Sequence, residues 1–189
     1  MRVLVIGAHH GLGAALVQAA RVADHAVTAF DGDALDREDL VESMQGHQAV
    51  ISTLGPREGS PPDLCARGTR AIIEAMQATG ARRLIVVSGA MVGDDVWLGP
   101  VYRLIKALVP RRLLADRRLA EAEVRASGLD WTLARPVRLT DDAPRGTWRT
   151  DPAASVGAFA RLGRIDAASA IVAALSDPAT HSRALLLQR

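Results

Sequence analysis

Cysteine, lysine and tyrosine are nearly absent from this chain, and each shortage excludes something. Cys65 is the only cysteine among 189 residues, so no disulfide can close within the chain, and a reducing, cytoplasmic setting is expected. Lys106 is the only lysine, so nearly all positive charge is arginine. Tyr102 is the only tyrosine, which leaves one candidate for any phenolic proton donor. No run of about 18 apolar residues is present to span a bilayer as a helix. The chain begins basic then apolar, like a secretory leader, but glycines and a histidine pair interrupt it. A first strand and turn is the better reading, and a soluble protein is expected. A net charge of +2 is too small to argue for nucleic acid. Arg103, Arg111, Arg112, Arg117 and Arg118 form a local cluster that reads as a solvated helix face, so neither nucleic acid nor membrane is expected as a partner. No cysteine or acidic residue stands at zinc spacing from His9 and His10, so no metal is expected.

What is present suits one globular domain spanning residues 1–189, with 49% apolar and 23% charged residues and enough length for a sizeable core. The organising stretch is Arg2 to Asp24. Arg2-Val-Leu-Val-Ile-Gly7 reads as a buried strand. Ala8-His9-His10-Gly11-Leu12-Gly13 turns the chain, and strong helix formers follow to Arg21. A strand, a glycine turn and a helix N-terminus form a phosphate-binding device, because unpaired N–H groups and the helix dipole favour an anion there. Gly7 allows the tight turn, Gly11 the approach of a cofactor, and Gly13 close packing of helix on strand. His9, His10 and Leu12 share this loop and are expected to line the cofactor.

Strands and helices then alternate. Ala26–Phe30 reads as a strand, 37–45 as a short helix with Asp36 as N-cap and Gly46 as stop, and Ala49–Gly55 as a strand. The spacing predicts a helix over 63–79 closed by Gly80, and a central strand over Arg83–Ser88. A loop follows, in which Met91, Trp97 and Leu98 make either a lid or a hydrophobic segment packed on the body. Helices are predicted over 101–109, stopped at Pro110, and over 111–126, closed by Ser127-Gly128. A strand over 130–134 ends at Arg135-Pro136. The stretch from 140 to 164 is irregular, with a short strand near Trp148, before a helix over 166–175, N-capped by Asp166, and a last strand over 184–188. This alternation predicts a doubly wound, Rossmann-like α/β fold, a parallel sheet with helices on both faces. Ligands in such sheets lie at the carboxyl ends of the strands, where Gly7, Asp31, Ser52–Gly55, Ser88–Ala90 and Arg135-Pro136 all fall.

Gly7, Gly11 and Gly13 spell G-x-x-x-G-x-G. With Gly32-Asp-Ala-Leu-Asp36, Ala49-Val-Ile-Ser-Thr-Leu-Gly55, Ser127-Gly-Leu-Asp-Trp-Thr-Leu-Ala-Arg-Pro136 and Arg164-Ile-Asp-Ala-Ala, the chain resembles the atypical short-chain dehydrogenase/reductases. It is most similar to the NAD(P)-binding NmrA-like regulators and flavin (biliverdin IXβ) reductases. The resemblance implies that Gly7, Gly11 and Gly13 line the pyrophosphate. It puts Asp33 to Asp36 near the adenine, and Thr53, Leu54 and Gly55 beside the adenosine half. Ser88, Gly89 and Ala90 would lie beside the nicotinamide, under a loop opened by Pro136. The chain departs from the family at His10, where relatives have glycine. It also departs after Phe30, which runs directly into Asp31-Gly32-Asp33 where relatives carry about twenty further residues; a strand and a helix are expected to be missing or merged.

In the wider superfamily a tyrosine in Y-x-x-x-K donates the proton, beside a serine on the preceding strand, and the lysine's charge favours the phenolate. Tyr102-Arg-Leu-Ile-Lys106, fourteen residues after Ser88, resembles that set. Ser88, Tyr102 and Lys106 are therefore the catalytic candidates. Pro110 ends their helix early, so the alternative stands that Tyr102 is half-buried packing and Lys106 solvated. Asp31, eighteen residues after Gly13, is placed to accept from a ribose 2′-OH and to repel a 2′-phosphate, which gives NAD(P)(H) with a weak lean to NAD(H). The expected activity is NAD(P)-dependent hydride transfer to a small carbonyl or flavin-like acceptor, in a monomer or homodimer. The alternative is an NmrA-like dinucleotide sensor or partner-binding protein without turnover.

Overall fold

Apolar residues alternate in register across the strands, and the fold follows from where the two sets of side chains go. The computed structural model describes residues 1–151 and 155–189. In chain order the elements are β1 (Arg2–Ile6), α1 (Gly11–Val22), β2 (Ala26–Phe30), α2 (Arg37–Met44), β3 (Ala49–Ser52), α3 (Leu64–Thr79), β4 (Arg83–Val87), β5 (Trp97–Leu98), α4 (Pro100–Leu108), α5 (Arg111–Ala126), β6 (Asp130–Pro136), β7 (Arg138–Thr140), β8 (Arg149–Asp151), β9 (Ser155–Val156), β10 (Arg161–Gly163), α6 (Arg164–Leu175) and β11 (Arg183–Gln188). The main sheet has the order β2-β1-β3-β4-β6-β11-β8, parallel throughout except that β8 runs antiparallel to β11. Val3, Val5, Ile51 and Ile85 face one core with Leu16 of α1 and Ile171 of α6. Leu4, Ile6, Val50 and Leu84 face the other, with Leu40 of α2, Ile72 and Met76 of α3 and Val124 of α5. The sheet is thus covered on both faces, the doubly wound arrangement expected of strands that are apolar along their whole length.

Among the described residues β2 is an edge strand, with Ala26, Thr28 and Ala29 exposed and β1 as its sheet neighbour. β1 is followed outward by β2, while β3 lies on its other side, so the order reverses there and a crevice opens at the carboxyl ends of β1 and β3.

Most local signals act as expected. Asp36 caps α2 by accepting from the backbone N–H groups of Glu38 and Asp39, and Gly80 closes α3 at φ 79°. Asp166 is a correction. It lies inside the first turn of α6, whose N-cap is Gly163; its buried carboxylate accepts from the backbone of Arg145 and Gly146 at 3.0–3.1 Å and fixes that loop. The strand expected to reach Gly55 ends at Ser52. Two short parallel pairs, β5 with β9 and β7 with β10, organise the region read as irregular.

Candidate active site

The crevice beyond β1 and β3 is a cleft of about 540 Å³ lined by the glycine loop, by Phe30 to Ala34, and by Thr53 to Arg57. Its geometry explains each glycine. Gly7 turns at φ 78°, and a Cβ there would lie 2.5 Å from Thr53 Oγ1. A Cβ on Gly13 would lie 2.0 Å from the Gly7 carbonyl oxygen, so α1 seats directly on the turn. Gly11 differs. At φ 54° its Cβ would meet nothing nearer than Arg164 Nε at 3.8 Å, so the space above the helix N-terminus is open. His10 is the N-cap of α1 and makes no side-chain cap bond, and no acidic residue occupies the first turn. The free N–H groups and the dipole of a twelve-residue helix therefore face an open cradle, which fits a diphosphate.

The remaining cofactor candidates fall around this cradle. Thr53 braces the turn: its hydroxyl lies 3.0 Å from both the Ile6 and Gly7 carbonyls, and its N–H donates to Ile6. Leu54, Gly55, Leu12 and Asp33 line the cleft, and the Asp33 carboxylate accepts from Leu35 N–H at 2.9 Å. Asp31 stands at the rim, where His9 Nε2 reaches it at 2.9 Å. Sequence reasoning missed that pair. It also missed Arg57, which lines the cleft opposite Asp31's segment, and Arg164, which overhangs Gly11.

A second, more apolar pocket of about 640 Å³ lies over the ends of β4 and β6. Ser88, Gly89 and Pro136 line it, with Met91, Ile105 and Leu114 among its walls. Ser88 N–H donates to Ala134 at 2.8 Å, whereas its buried Oγ has no hydrogen-bond partner. A buried hydroxyl left unpartnered is costly, and among the described residues Ser88 Oγ is one of the few such groups. Of the loop residues, Met91 faces this pocket, Leu98 is buried in the core, and Trp97 is 62% exposed.

Of the three catalytic candidates, Ser88 and Tyr102 line the same apolar pocket and Lys106 lies outside it. Tyr102 is 4% exposed; its hydroxyl donates to the Ala160 carbonyl at 2.6 Å and accepts from Arg138 N–H at 3.0 Å. Lys106 Nζ lies 3.8 Å from Asp94 Oδ1, in a depression outside the apolar pocket. The expected relay therefore lacks both its free phenol and its lysine. The cause is tertiary, since Tyr102 pins α4 to the β7 and β10 segments.

Arg117 of α5 stands where pocket and cleft approach each other. It lines the apolar pocket and a small cavity shared with Ser88 and Leu54, and its Nη2 comes 3.1 Å from where a Gly55 Cβ would be. Its neighbour Asp116 reaches across to cap α3, accepting from Cys65 and Ala66 N–H at 2.9 Å. Cys65 itself is no nucleophile. Burial, opposed only partly by Arg117 and reinforced by Asp116, pushes its thiol up to about 11. The inward helical spacing Leu113, Arg117, Glu121, Val124 was the signal that could have placed Arg117 here.

Fold and cradle together define a dinucleotide-binding α/β protein. A sequence profile described as NAD(P)H-binding matches residues 6–178, and the chain belongs to that NAD(P)H-binding family. Its fold is similar to that of a wide-type short-chain dehydrogenase/reductase from Veillonella parvula DSM 2008, determined with NADP (17% identity, TM-score 0.79, covering 100% of this chain and 94% of that one). It is also similar to an anaerobillin reductase from Escherichia coli O157:H7 (21%, 0.79, 99% and 96%). An oxidoreductase from Lactococcus lactis is a third such structure (16%, 0.81, 99% and 90%).

Proposed function

We propose that this protein is an NAD(P)H-dependent oxidoreductase that passes hydride to a small acceptor held in the apolar pocket. The observation that carries the reading is the adjacency of two differently built cavities, a polar cleft over a helix N-terminus and an apolar pocket over the ends of β4 and β6, with a small cavity between Leu54 of the cleft and Ser88 and Arg117 of the pocket. Gly7, Gly11, Gly13 and the N-terminus of α1 would hold the pyrophosphate, and Asp31 and Asp33 would face the adenosine half. Ser88 and Gly89 would orient the nicotinamide, Ser88 through its unpartnered Oγ. A reduced nicotinamide, when bound, supplies the hydride. The walls from Met91, Ile105 and Leu114 exclude water around the acceptor.

Because the Tyr102 proton is committed to Ala160, the proposal favours an acceptor that takes its proton from water, as a conjugated or flavin-like ring can. A simple carbonyl needing a positioned acid fits less well. The E. coli neighbour is an anaerobillin reductase, which agrees with this choice. The cofactor preference proposed is a weak one for NAD(H), set by Asp31 and weakened by His9.

The test is a fluorescence titration with NADH, NADPH, NAD⁺ and NADP⁺, followed by nicotinamide oxidation with flavin and carbonyl acceptors. Binding with turnover supports the proposal. Binding without turnover on any acceptor favours the dinucleotide-sensor reading, for which the unassembled Ser88–Tyr102–Lys106 relay is the specific observation.

A further inference from the structure

Charge in the apolar pocket is one-sided. Arg117, Arg138 and Arg161 line it, and among the described residues no aspartate or glutamate does. Arg161 pairs with Asp142 at 3.6 Å. Among the described residues, no ion pair or hydrogen bond engages the guanidinium of Arg117 or of Arg138. The two differ in depth, Arg138 being exposed and Arg117 half-buried. The acids nearest Arg117 in sequence are already used. Asp116 caps α3, and Glu121 is held by Arg135 through both carboxylate oxygens, at 2.9 and 2.5 Å.

A guanidinium stays protonated at any ordinary pH, and leaving it half-buried with neither counter-charge nor acceptor is unfavourable. The pocket walls Met91, Val92, Ile105, Leu114 and Phe159 offer only hydrocarbon and a thioether, while the small cavity that Arg117 also lines includes Ser88, Thr69 and Glu121. One kind of ligand satisfies both parts of this surface, an apolar body with an anionic group on the side where Arg117 reaches in. We infer that the pocket selects amphiphilic organic anions, and that Arg117 is the residue reading the charge, by charge-assisted hydrogen bonds to a carboxylate or a comparable acidic group. The inference rests on the pocket being the acceptor site, but a binding experiment without turnover keeps the two separable.

Two probes with one ring system isolate the charge: anilinonaphthalene sulfonate and its uncharged counterpart phenylnaphthylamine, both fluorescent on entering apolar sites. Each is titrated into the full chain and into Arg117→Met, Arg117→Lys and Ile105→Trp, alongside NADPH. Arg117→Met is expected to weaken the sulfonate about ten- to a hundredfold, the factor for losing a hydrogen-bonded charge contact, while the neutral probe moves less than about twofold. Arg117→Lys should restore part of the sulfonate affinity, and Ile105→Trp, filling the pocket from its partly exposed wall, should weaken both probes. Equal losses of both probes in Arg117→Met, or an unchanged sulfonate, overturn the inference. So does a fall in NADPH affinity without a change in sulfonate binding, which would assign Arg117 to the dinucleotide. Failure of the parent to bind NADPH would sink the oxidoreductase reading, whereas a sulfonate-specific loss in Arg117→Met would still support charge selection by the pocket.

Discussion

The cleft and the pocket are built by opposite means. The cleft is floored by the consecutive residues Gly7 to Gly13, with Thr53 closing the turn and the segments after β2 and β3 as its walls. On the proposed function its affinity would reside in N–H groups and in the absence of side chains at the glycines. Side chains from the 88–92 loop, α4, α5, the 136–138 stretch and the 158–161 segment make the pocket. On the proposed function one region would fix the reagent and the other would choose the partner, as expected where the cofactor carries the chemistry.

The sharpest way to break this contrast is to remove what holds the pocket walls together. Arg135 of β6 is 2% exposed; it binds Glu121 of α5 and donates from Nη1 to Asp95 of the β4–β5 loop at 2.6 Å. Gly93 packs so closely that a Cβ would lie 2.2 Å from that Nη1. Burial opposes the charge on Arg135, but Glu121 and Asp95 outweigh it and raise its pKa above the ordinary value. Arg135→Met leaves the buried Glu121 carboxylate with Arg125 at 3.1 Å as its remaining cation, and the expected cost is about 3 kcal/mol, the low end for breaking a buried pair, read as a fall in the urea midpoint. The pocket should loosen first, so probe binding fails at lower urea than NADPH binding; simultaneous loss would show that the two regions are one cooperative unit. Asp95 adds a pH arm. Burial works against its ionisation, yet the hydrogen bond and charge of Arg135 hold its pKa below the usual aspartate range. A depressed folded pKa stabilises above the unfolded value of about 3.9 and is lost as pH falls through the folded one. Pocket binding should therefore weaken below about pH 4 before the fold is lost.

Next in size is the cradle. Gly11→Ala places a methyl group in open space where the proposal seats a phosphate, and it retains a left-handed residue at a cost of about 1–2 kcal/mol. Losing one hydrogen bond to a charged group should weaken NADPH roughly tenfold or more, with the naphthalene probes unaffected. Unchanged NADPH affinity would make the loop a turn and nothing else.

Tyr102→Phe tests the border between packing and chemistry. Ala160 and Arg138 lose their partner inside the protein, so stability should fall by about 1–2 kcal/mol. Turnover on any acceptor should stay far from the roughly 10²–10⁴-fold loss that marks a general acid. A loss of that size at constant NADPH affinity would put Tyr102 back into the reaction.

What the sequence made legible follows the same division. The glycine loop, the Asp36 cap, the Gly80 and Gly128 stops and helix 111–126 are local devices, and each came out where its signal stood. Relations across the chain were not legible. Asp116 caps a helix fifty residues away, Asp166 serves a loop rather than its own helix, and Tyr102-x-x-x-Lys106 has motif spacing but is claimed by Ala160 and Asp94. Arg117 was read as one of a solvated cluster because only the tertiary fold turns that side of α5 toward Ser88.

The smallest expected effect sharpens the cofactor side. Asp31 ends beyond β2 at the cleft rim, where a carboxylate accepts from a ribose 2′-OH and repels a 2′-phosphate. Two features limit its influence: it is 90% exposed, and His9 Nε2 sits 2.9 Å away, sharing its oxygen. Exposed charge contacts contribute little, so Asp31→Ala should shift the ratio of NADH to NADPH dissociation constants only about two- to fivefold toward NADPH. Added salt should shrink that shift, because the contact lies in water. His9→Ala should move the ratio the other way, since it frees the carboxylate without removing it. Opposite signs in the two variants would establish the pair as a tuned reader of the ribose. A ratio that neither variant moves would transfer the discrimination to the far wall of the cleft, where Arg57 is the available cation. Arg57→Ala would then be expected to weaken NADPH alone.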